Sequence, residues 1–497
     1  MSKVYDAIVI GAGHNGLVAA AMLARKGLKT IVLEGREHSG GLLGDAAFRI
    51  AHLPFGLHPQ VSKALGIELA TKPVETLIAN PNAQTIRVTG KTVTGVSPQE
   101  ATHFAQMHTR LVRQAQALSG MIANPPPAFE GNNWAQLLSL GKTALKLRRL
   151  GKNELRDLMR IALSNVWDLA TDELGDGPLA GMLAMDATIG GAMGPRSPGT
   201  VLPLLWRMAT STEFGNGMRL MPENGPQALV EALAAALSRA GGDMRLGTAV
   251  ARILVENDKV VGVRLQSGEE IRASRILSSA APATTLLDLL GVEHLDGEFV
   301  RRCRTMANTG MVARIDFELK DVPSTHDDTR LGAFQRLLVA PDMMCLEKAF
   351  NAAKYGGIPD QPPLEAHFDA LQGRLQVTVQ FVPGKVDWTQ TMRKALEKAV
   401  VKMLSTAMPE IGSLIRSART MTPADIGKQY SLPGGHWHHA EFRIDQLLML
   451  RPFDGAAQYR MPVKGLYLCG AACHPGGDIN GSPGFNAANA ALADGRL

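Results

Sequence analysis

The stretch Val4-Tyr5-Asp6-Ala7-Ile8-Val9-Ile10-Gly11-Ala12-Gly13-His14-Asn15-Gly16 decides how the rest of the chain is read. Val4 and Ala7 to Ile10 give a short apolar run, as a buried strand requires, and it passes straight into three spaced glycines. Leu17 to Lys26 is rich in alanine and leucine, which favour helix, and Gly27 can close it. A second apolar run, Thr30 to Leu33, ends on Glu34. Strand, glycine turn, helix, strand and acid in this order make a dinucleotide-binding unit. Gly11 permits the tight turn, Gly13 lets the backbone approach a pyrophosphate, and Gly16 lets helix and strand pack closely. His14 and Asn15 sit in the turn, where the free N–H groups of the helix start favour phosphate. Glu34 follows the glycines by about 20 residues, where a carboxylate accepts hydrogen bonds from a ribose.

The 497 residues, 45% hydrophobic and 20% charged, leave room for at least two domains with a large core. No uncharged apolar run reaches the roughly 18 residues of a membrane span. A strand beginning at Val4 leaves no space for a leader, so a cytoplasmic location is expected, with at most peripheral membrane contact. A net charge of +6 suits anionic substrates or membrane surfaces and does not call for nucleic acid. Cys303, Cys345, Cys469 and Cys473 form no CxxC pair, which argues against dithiol chemistry.

Along the chain, Leu42 to Pro59 has little period and carries His52 and His58. Thr85–Val88 and Lys91–Val96 read as hairpin strands. Pro98 to Thr171 reads as mostly helical, broken at Asn124-Pro125-Pro126-Pro127. Within it, Lys142, Lys146, Arg148, Arg149, Lys152, Arg156 and Arg160 interleave with leucines. This is a basic amphipathic pattern that suits either a solvated face or an anionic membrane. Methionines gather between Leu179 and Met221, as core or as the wall of an apolar tunnel. A helix at Ala228–Ala240 precedes strands at Met244–Leu246, Ala249–Glu256, Val260–Leu265, Glu270–Arg272 and Arg275–Ser279. Met311–Leu319 and Leu375–Val382 alternate apolar and polar residues, as antiparallel strands of a substrate-binding sheet would.

Two further stretches narrow the reading. Gly35, Arg36 and the pair Gly40-Gly41 extend the first motif, and this extension resembles FAD proteins of the glutathione-reductase-like superfamily. Gly465-Leu466-Tyr467-Leu468-Cys469-Gly470 reads as a second buried strand. It is followed by Ala471-Ala472-Cys473-His474-Pro475-Gly476-Gly477-Asp478-Ile479-Asn480-Gly481-Ser482-Pro483-Gly484-Phe485-Asn486 and a small-residue helix. The strand, the His-Pro-Gly-Gly and the Gly-x-Pro-Gly-x-Asn-Ala-Ala pieces resemble the C-terminal signature of phytoene-desaturase-like FAD oxidoreductases of the amine-oxidase superfamily. The branch most resembled is that of pyridine nucleotide-disulphide oxidoreductase domain-containing proteins. Gly434-Gly435-His436-Trp437-His438-His439 and Asp445-Gln446-Leu447 with Arg451-Pro452 add to it. The resemblance covers both ends and Gly215–Pro282, while residues 60–210 and 290–420 match loosely. The chain departs from that branch at Asp478, where glycine is usual, and at Cys473.

The resemblance implies an α/β chain, α+β overall. It would contain a discontinuous Rossmann-like FAD-binding domain of the glutathione-reductase type (1–59, 215–290 and 425–497) and a mixed-sheet and helical substrate or cap domain (60–214 and 291–424). The implied FAD contacts are Gly11, Gly13, His14, Asn15, Gly16, Glu34, Gly35, Arg36, Gly40, Gly41, Val250, Gly470, Gly481, Pro483, Gly484 and Asn486, with Val250 meeting the adenine through its backbone. Candidates for a catalytic base are His474, Asp478, His436 and His58, in that order. Cys473 and His474 are the candidates for a covalent flavin link, weighed against simple burial. Three histidines in one loop without a completing carboxylate or thiolate give no metal site, and no second dinucleotide unit for NAD(P)H is present. The expected reaction is FAD-dependent dehydrogenation or desaturation of an apolar small molecule, with oxygen or a quinone as acceptor. Amine oxidation is the second reading and a flavin-bound scaffold without turnover the third. A homodimer is compatible with all three.

Overall fold

The computed structural model describes residues 4–45, 48–51, 56–80, 84–127, 134–215 and 219–495; His52, Asn216 to Met218 and the side chain of Lys142 lie outside what is described. The Ala7–Ile10 strand is fully buried at the centre of a five-stranded parallel sheet. The order across it is Leu466–Leu468, Arg275–Ser278, Ala7–Ile10, Thr30–Leu33, Asp243–Arg245. Parallel strands covered on both faces read as continuous apolar runs, which is why these segments stand out in the sequence. The helices His14–Arg25, Gln227–Arg239 and Ser482–Ala493 pack together in the same core. An antiparallel sheet of Val250–Glu256, Lys259–Leu265 and Glu270–Arg272 joins that core through Ile253, Val263 and Ile271.

Small residues make this packing close. A Cβ on Gly484 would stand 2.0 Å from the Asn15 carbonyl oxygen, and one on Gly16 would stand 2.1 Å from that of Gly11. Backbone meets backbone at both places, so no side chain can rotate away.

A second, eight-stranded sheet runs Ile415–Met421, Val312–Leu319, Arg374–Gln380, Leu364–Asp369, Gln335–Val339, Glu75–Ile78, Ile86–Thr89, Thr92–Thr94. It is antiparallel except where Gln335–Val339 meets Glu75–Ile78. The alternation read from the sequence places Ile315 opposite Val377 and Arg314 opposite Thr378. One face, with Ile315, Phe317, Val377 and Leu364, is covered by Leu396, Val400 and Leu404 of the Gln390–Ala407 helix. The other face carries Arg314, Asp316, Arg336, Glu365, Gln376 and Thr378. It is buried as well, although alternation of this kind ordinarily marks a solvated face.

The helical stretch resolves into Pro98–Ala123, Trp134–Arg149, Lys152–Leu163, Val166–Leu174, Pro178–Thr188 and Val201–Gly215. The basic pattern is thus two helices parted at Gly151, whose φ of 82° favours glycine. Met182, Met185, Met208 and Met221 are buried, the first three within one apolar cluster, as core packing requires. Among the described residues, no helix is long and apolar enough to cross a membrane.

The backbone contact at Gly484 has a direct consequence. Gly484→Ala should destabilise the fold by about 1–3 kcal/mol, the usual cost of overpacking. A urea midpoint equal to that of the unaltered protein would contradict the helix contact.

Candidate active site

A cavity of about 680 Å3 is walled by residues of both sheets. Gly11, Gly13, His14, Asn15, Glu34, Gly35, Arg36, Gly40, Gly41 and Val250 all line it. Glu34 is aimed by the backbone of two neighbouring residues. Its Oε2 accepts from the Ala12 N–H at 2.7 Å and its Oε1 from the Arg36 N–H at 3.0 Å. The Gly40 N–H donates to the Ala12 carbonyl at 2.7 Å and braces the turn. The Arg36 guanidinium lies 4.1 Å from the centre of the Tyr430 ring and pairs with Asp45 at 3.3 Å. Gly13 has an ordinary extended backbone, and a Cβ there would meet nothing within 4 Å. Its surroundings are open space, not protein.

The second glycine-rich segment reaches the cavity through Ala471, Asp478 and Ile479. Gly16, Gly470, Gly481, Pro483, Gly484 and Asn486, expected as cofactor contacts, are not among its lining residues. Several of them make close contacts within the protein. Gly470 fits against the Ser279 carbonyl, Gly484 against Asn15, and the Asn486 amide donates to the Tyr459 hydroxyl at 3.1 Å.

Of the four base candidates, only Asp478 is in the wall. His474 is fully buried away from it, with Nε2 2.7 Å from the Met121 carbonyl oxygen. His436 lies 3.6 Å from Glu441 and accepts from the His438 N–H. His58 caps a helix by accepting from the Gln60 N–H at 3.2 Å. Cys473 is buried outside the wall, and burial pushes its thiol up to about 12. All four cysteines are free.

The wall also holds residues that motif reading did not single out. Arg219, Glu365 and Thr378 reach it from the eight-stranded side, with Ile189 beside them. Behind them runs a network of ion pairs. Arg336 bonds Glu365 at 2.7 Å and Asp186 at 2.8 Å, and Arg219 bonds Asp186 at 2.7 Å and approaches Glu365 at 3.5 Å. Arg207 bonds Asp478 at 3.0 Å and the Asp186 carbonyl oxygen at 2.7 Å. His438 stands 3.3 Å from Asp478 on the other side.

Burial alone would raise the pKa of Asp478, but Arg207 and His438 outweigh it and hold the group well below the usual carboxylate range. Asp186 is likewise held low, chiefly by Arg336 and Arg219 acting against burial. Burial drives the histidines the other way, His14, His438 and His474 to about 4 and His439 to about 3. The carboxylates are therefore fixed anions and these rings are neutral at ordinary pH.

A model of the family described as flavin containing amine oxidoreductase matches residues 16–491. The chain belongs to this family. Its relatives include the mouse pyridine nucleotide-disulfide oxidoreductase domain-containing protein 2, 29% identical across 99% of this chain and 94% of that one. A limonene dehydrogenase component from Castellaniella defragrans is 24% identical across 99% and 95%. Among solved structures, cyclohexylamine oxidase from Brevibacterium oxydans superposes with a TM-score of 0.57 at 15% identity, covering 99% of this chain and 98% of that one. The protein is thus an FAD-dependent oxidoreductase of mixed α/β fold with a parallel sheet.

The cavity fits the flavin on its own evidence. Open space at Gly13, the oriented Glu34 carboxylate and the volume suit a dinucleotide. His14 Nε2, Trp437 Nε1 and His439 Nδ1, all on wall residues, are buried polar atoms without a protein partner. Such atoms are rare unless a ligand or water meets them.

Gly13→Val should give a folded but colourless protein, because a Cβ there points into the cofactor space with no protein atom within 4 Å. Full FAD occupancy would contradict the assignment, and so would a large loss of apoprotein stability. The neutral histidines predict a second outcome. Unfolded, they titrate near 6.5, so below that pH the unfolded chain binds protons that the fold refuses. Stability should be full above about 6.5 and fall as pH drops towards 4. A denaturation midpoint that stays level over that window would refute the burial of these rings.

Proposed function

We propose that the protein dehydrogenates or desaturates a neutral, largely apolar small molecule by hydride transfer to FAD, with oxygen or a quinone as final acceptor. One observation carries this reading: the cavity joins the dinucleotide turn to a polar wall whose charges are already balanced. Three guanidinium groups (Arg207, Arg219, Arg336) face three carboxylates (Asp186, Glu365, Asp478). A charged guest would add an unpaired charge to a buried site, which is costly. Between these parts the wall is aliphatic, with Leu42, Leu43, Ile50, Ile189, Leu432 and Ile479. The name of one relative, a limonene dehydrogenase component, points the same way.

In this reading residues 1–59, 215–290 and 425–497 form a cofactor domain of the glutathione-reductase type, and 60–214 with 291–424 form the substrate side. Glu34 holds a ribose, the Gly11–Gly16 turn the pyrophosphate and Val250 the adenine. When bound, FAD supplies the two-electron acceptor for a substrate C–H bond. The chain's part is to fix the donor carbon, exclude water and take up a proton. His438 is suited to that last task, since it lines the cavity neutral beside a fixed anion, Asp478, that would stabilise its protonated form.

The test is anaerobic mixing of the yellow holoenzyme with terpene hydrocarbons, terpene alcohols and primary amines. Terpenes should bleach the flavin band and amines should not. Bleaching by amines alone would move the reaction to amine oxidation.

A further inference from the structure

We infer that Glu365 and Arg219, with Thr378 beside them, form a subsite for a hydroxyl group, so that the substrate is an apolar molecule carrying one alcohol. This rests on the substrate reading above and narrows it. Glu365 is only 4% exposed yet lines the cavity. Its Oε2 is taken by Arg336 at 2.7 Å and approached by Arg219 at 3.5 Å. Its Oε1 has no hydrogen-bond partner among the described residues. No donor of the described residues reaches this oxygen, and the fixed ionic partners of Oε2 hold the carboxylate in the cavity wall, where a guest's donor can meet it.

The chemistry of the wall selects among guests. A hydrocarbon brings no donor and leaves Oε1 unpaired. An ammonium brings donors but adds a cation where three guanidinium groups already balance three carboxylates, and a carboxylate guest would face Glu365 directly. A hydroxyl does neither. Its hydrogen serves Oε1, its oxygen accepts from the Arg219 guanidinium on the same stretch of wall, and the site stays neutral. Arg219 is held in place for this by Asp186 at 2.7 Å. Its backbone carbonyl accepts from the Val74 N–H at 2.8 Å beside the short Leu220–Pro222 strand. The position is set by both side chain and backbone.

The same hydrogen-bond chemistry could be met by a hydroxyl of FAD itself, so the test separates the two sources. Holoenzyme is photoreduced and kept anaerobic so that no turnover intervenes. Binding of geraniol and of myrcene, a hydrocarbon of the same skeleton, is then followed by tryptophan fluorescence, since Trp437 lines the cavity. Geraniol should bind about tenfold or more tightly than myrcene, because a site built around a hydrogen bond rejects the analogue lacking it. Geranylamine and geranic acid should both bind more weakly than geraniol. Glu365→Leu, with fold checked by circular dichroism, should bind geraniol and myrcene alike while keeping its FAD. Equal binding of the two by the unaltered enzyme overturns the subsite. A folded Glu365→Leu protein with weakened FAD affinity also overturns it, by giving the hydroxyl to the cofactor. If that variant does not fold, the unaltered enzyme decides alone. Binding preference is read without catalysis, so bleaching by no terpene would sink the reaction and leave this result standing.

Discussion

Arg336 reaches Asp186 with one nitrogen and Glu365 with another, and around that double contact the parts of the protein are fixed to each other. Asp186 lies near the end of a helix, Glu365 lies on the eight-stranded sheet, and Arg207 carries the chain of charges on to Asp478 in the C-terminal loop. Burying ions costs several kcal/mol each, and well-packed apolar residues could fill the same volume at least as stably. Stability therefore does not explain the network. What it provides is a rigid polar surface inside the molecule, because removing any one partner would leave an unpaired buried charge. Rigidity of that sort suits a site that must hold a substrate carbon in one place.

The same constraint shapes the sheet. Its outer face is an ordinary apolar layer under the Gln390–Ala407 helix, whereas the inner face turns Arg314, Asp316, Glu365 and Thr378 inwards. A sheet with two buried faces, one apolar and one ionic, lets a single layer serve as core on one side and as the floor of the cavity on the other. The parallel sheet solves the complementary problem. Both its faces are apolar, and it presents polarity only at the strand ends, where Gly13 and Glu34 meet the cavity. A cofactor edge rich in phosphate and ribose thus meets backbone N–H groups and one carboxylate, while the apolar body of a substrate meets aliphatic side chains.

Legibility in the sequence followed the range of the interactions. The turn from Gly11 to Gly16, Glu34, and the strands of the parallel sheet were readable because their determinants lie within a few residues of one another. The glycines from Gly470 to Gly484 were only half readable. Their spacing marked a turn and a helix start, but the composition of a packing glycine and of a ligand-facing glycine is the same. Gly13 and Gly484 differ only in what stands opposite, open space in one case and the Asn15 carbonyl in the other. Histidines misled for a similar reason. His474 and His58 have the chemistry of a base, yet neither lines the cavity, and one ring nitrogen of each is committed, to Met121 and to Gln60. Arg219 and Glu365 were illegible, being 146 positions apart in the numbering and joined only by tertiary structure. A hint was present all the same. Leu-Glu-Ala-His-Phe-Asp at 364–369 alternates like a solvated edge, yet it pairs on both sides within the sheet.

Asp478 shows how such a network reaches back into the backbone. Its φ of 30° lies in the left-handed region, which favours glycine, and the resemblance to related sequences leads one to expect glycine there. An aspartate in that conformation carries a backbone penalty of order 1 kcal/mol. Arg207 at 3.0 Å and His438 at 3.3 Å offset it, and each is placed by its own element, a helix for the first and the loop after Gly435 for the second. A glycine at 478 would relax the turn but leave the Arg207 guanidinium with carbonyl oxygens only, and would leave His438 without an anion beside it. The aspartate, Arg207 and His438 therefore stand or fall as a set. In the proposed reaction Asp478 is the anion that would steady a protonated His438, whose ring burial otherwise holds neutral.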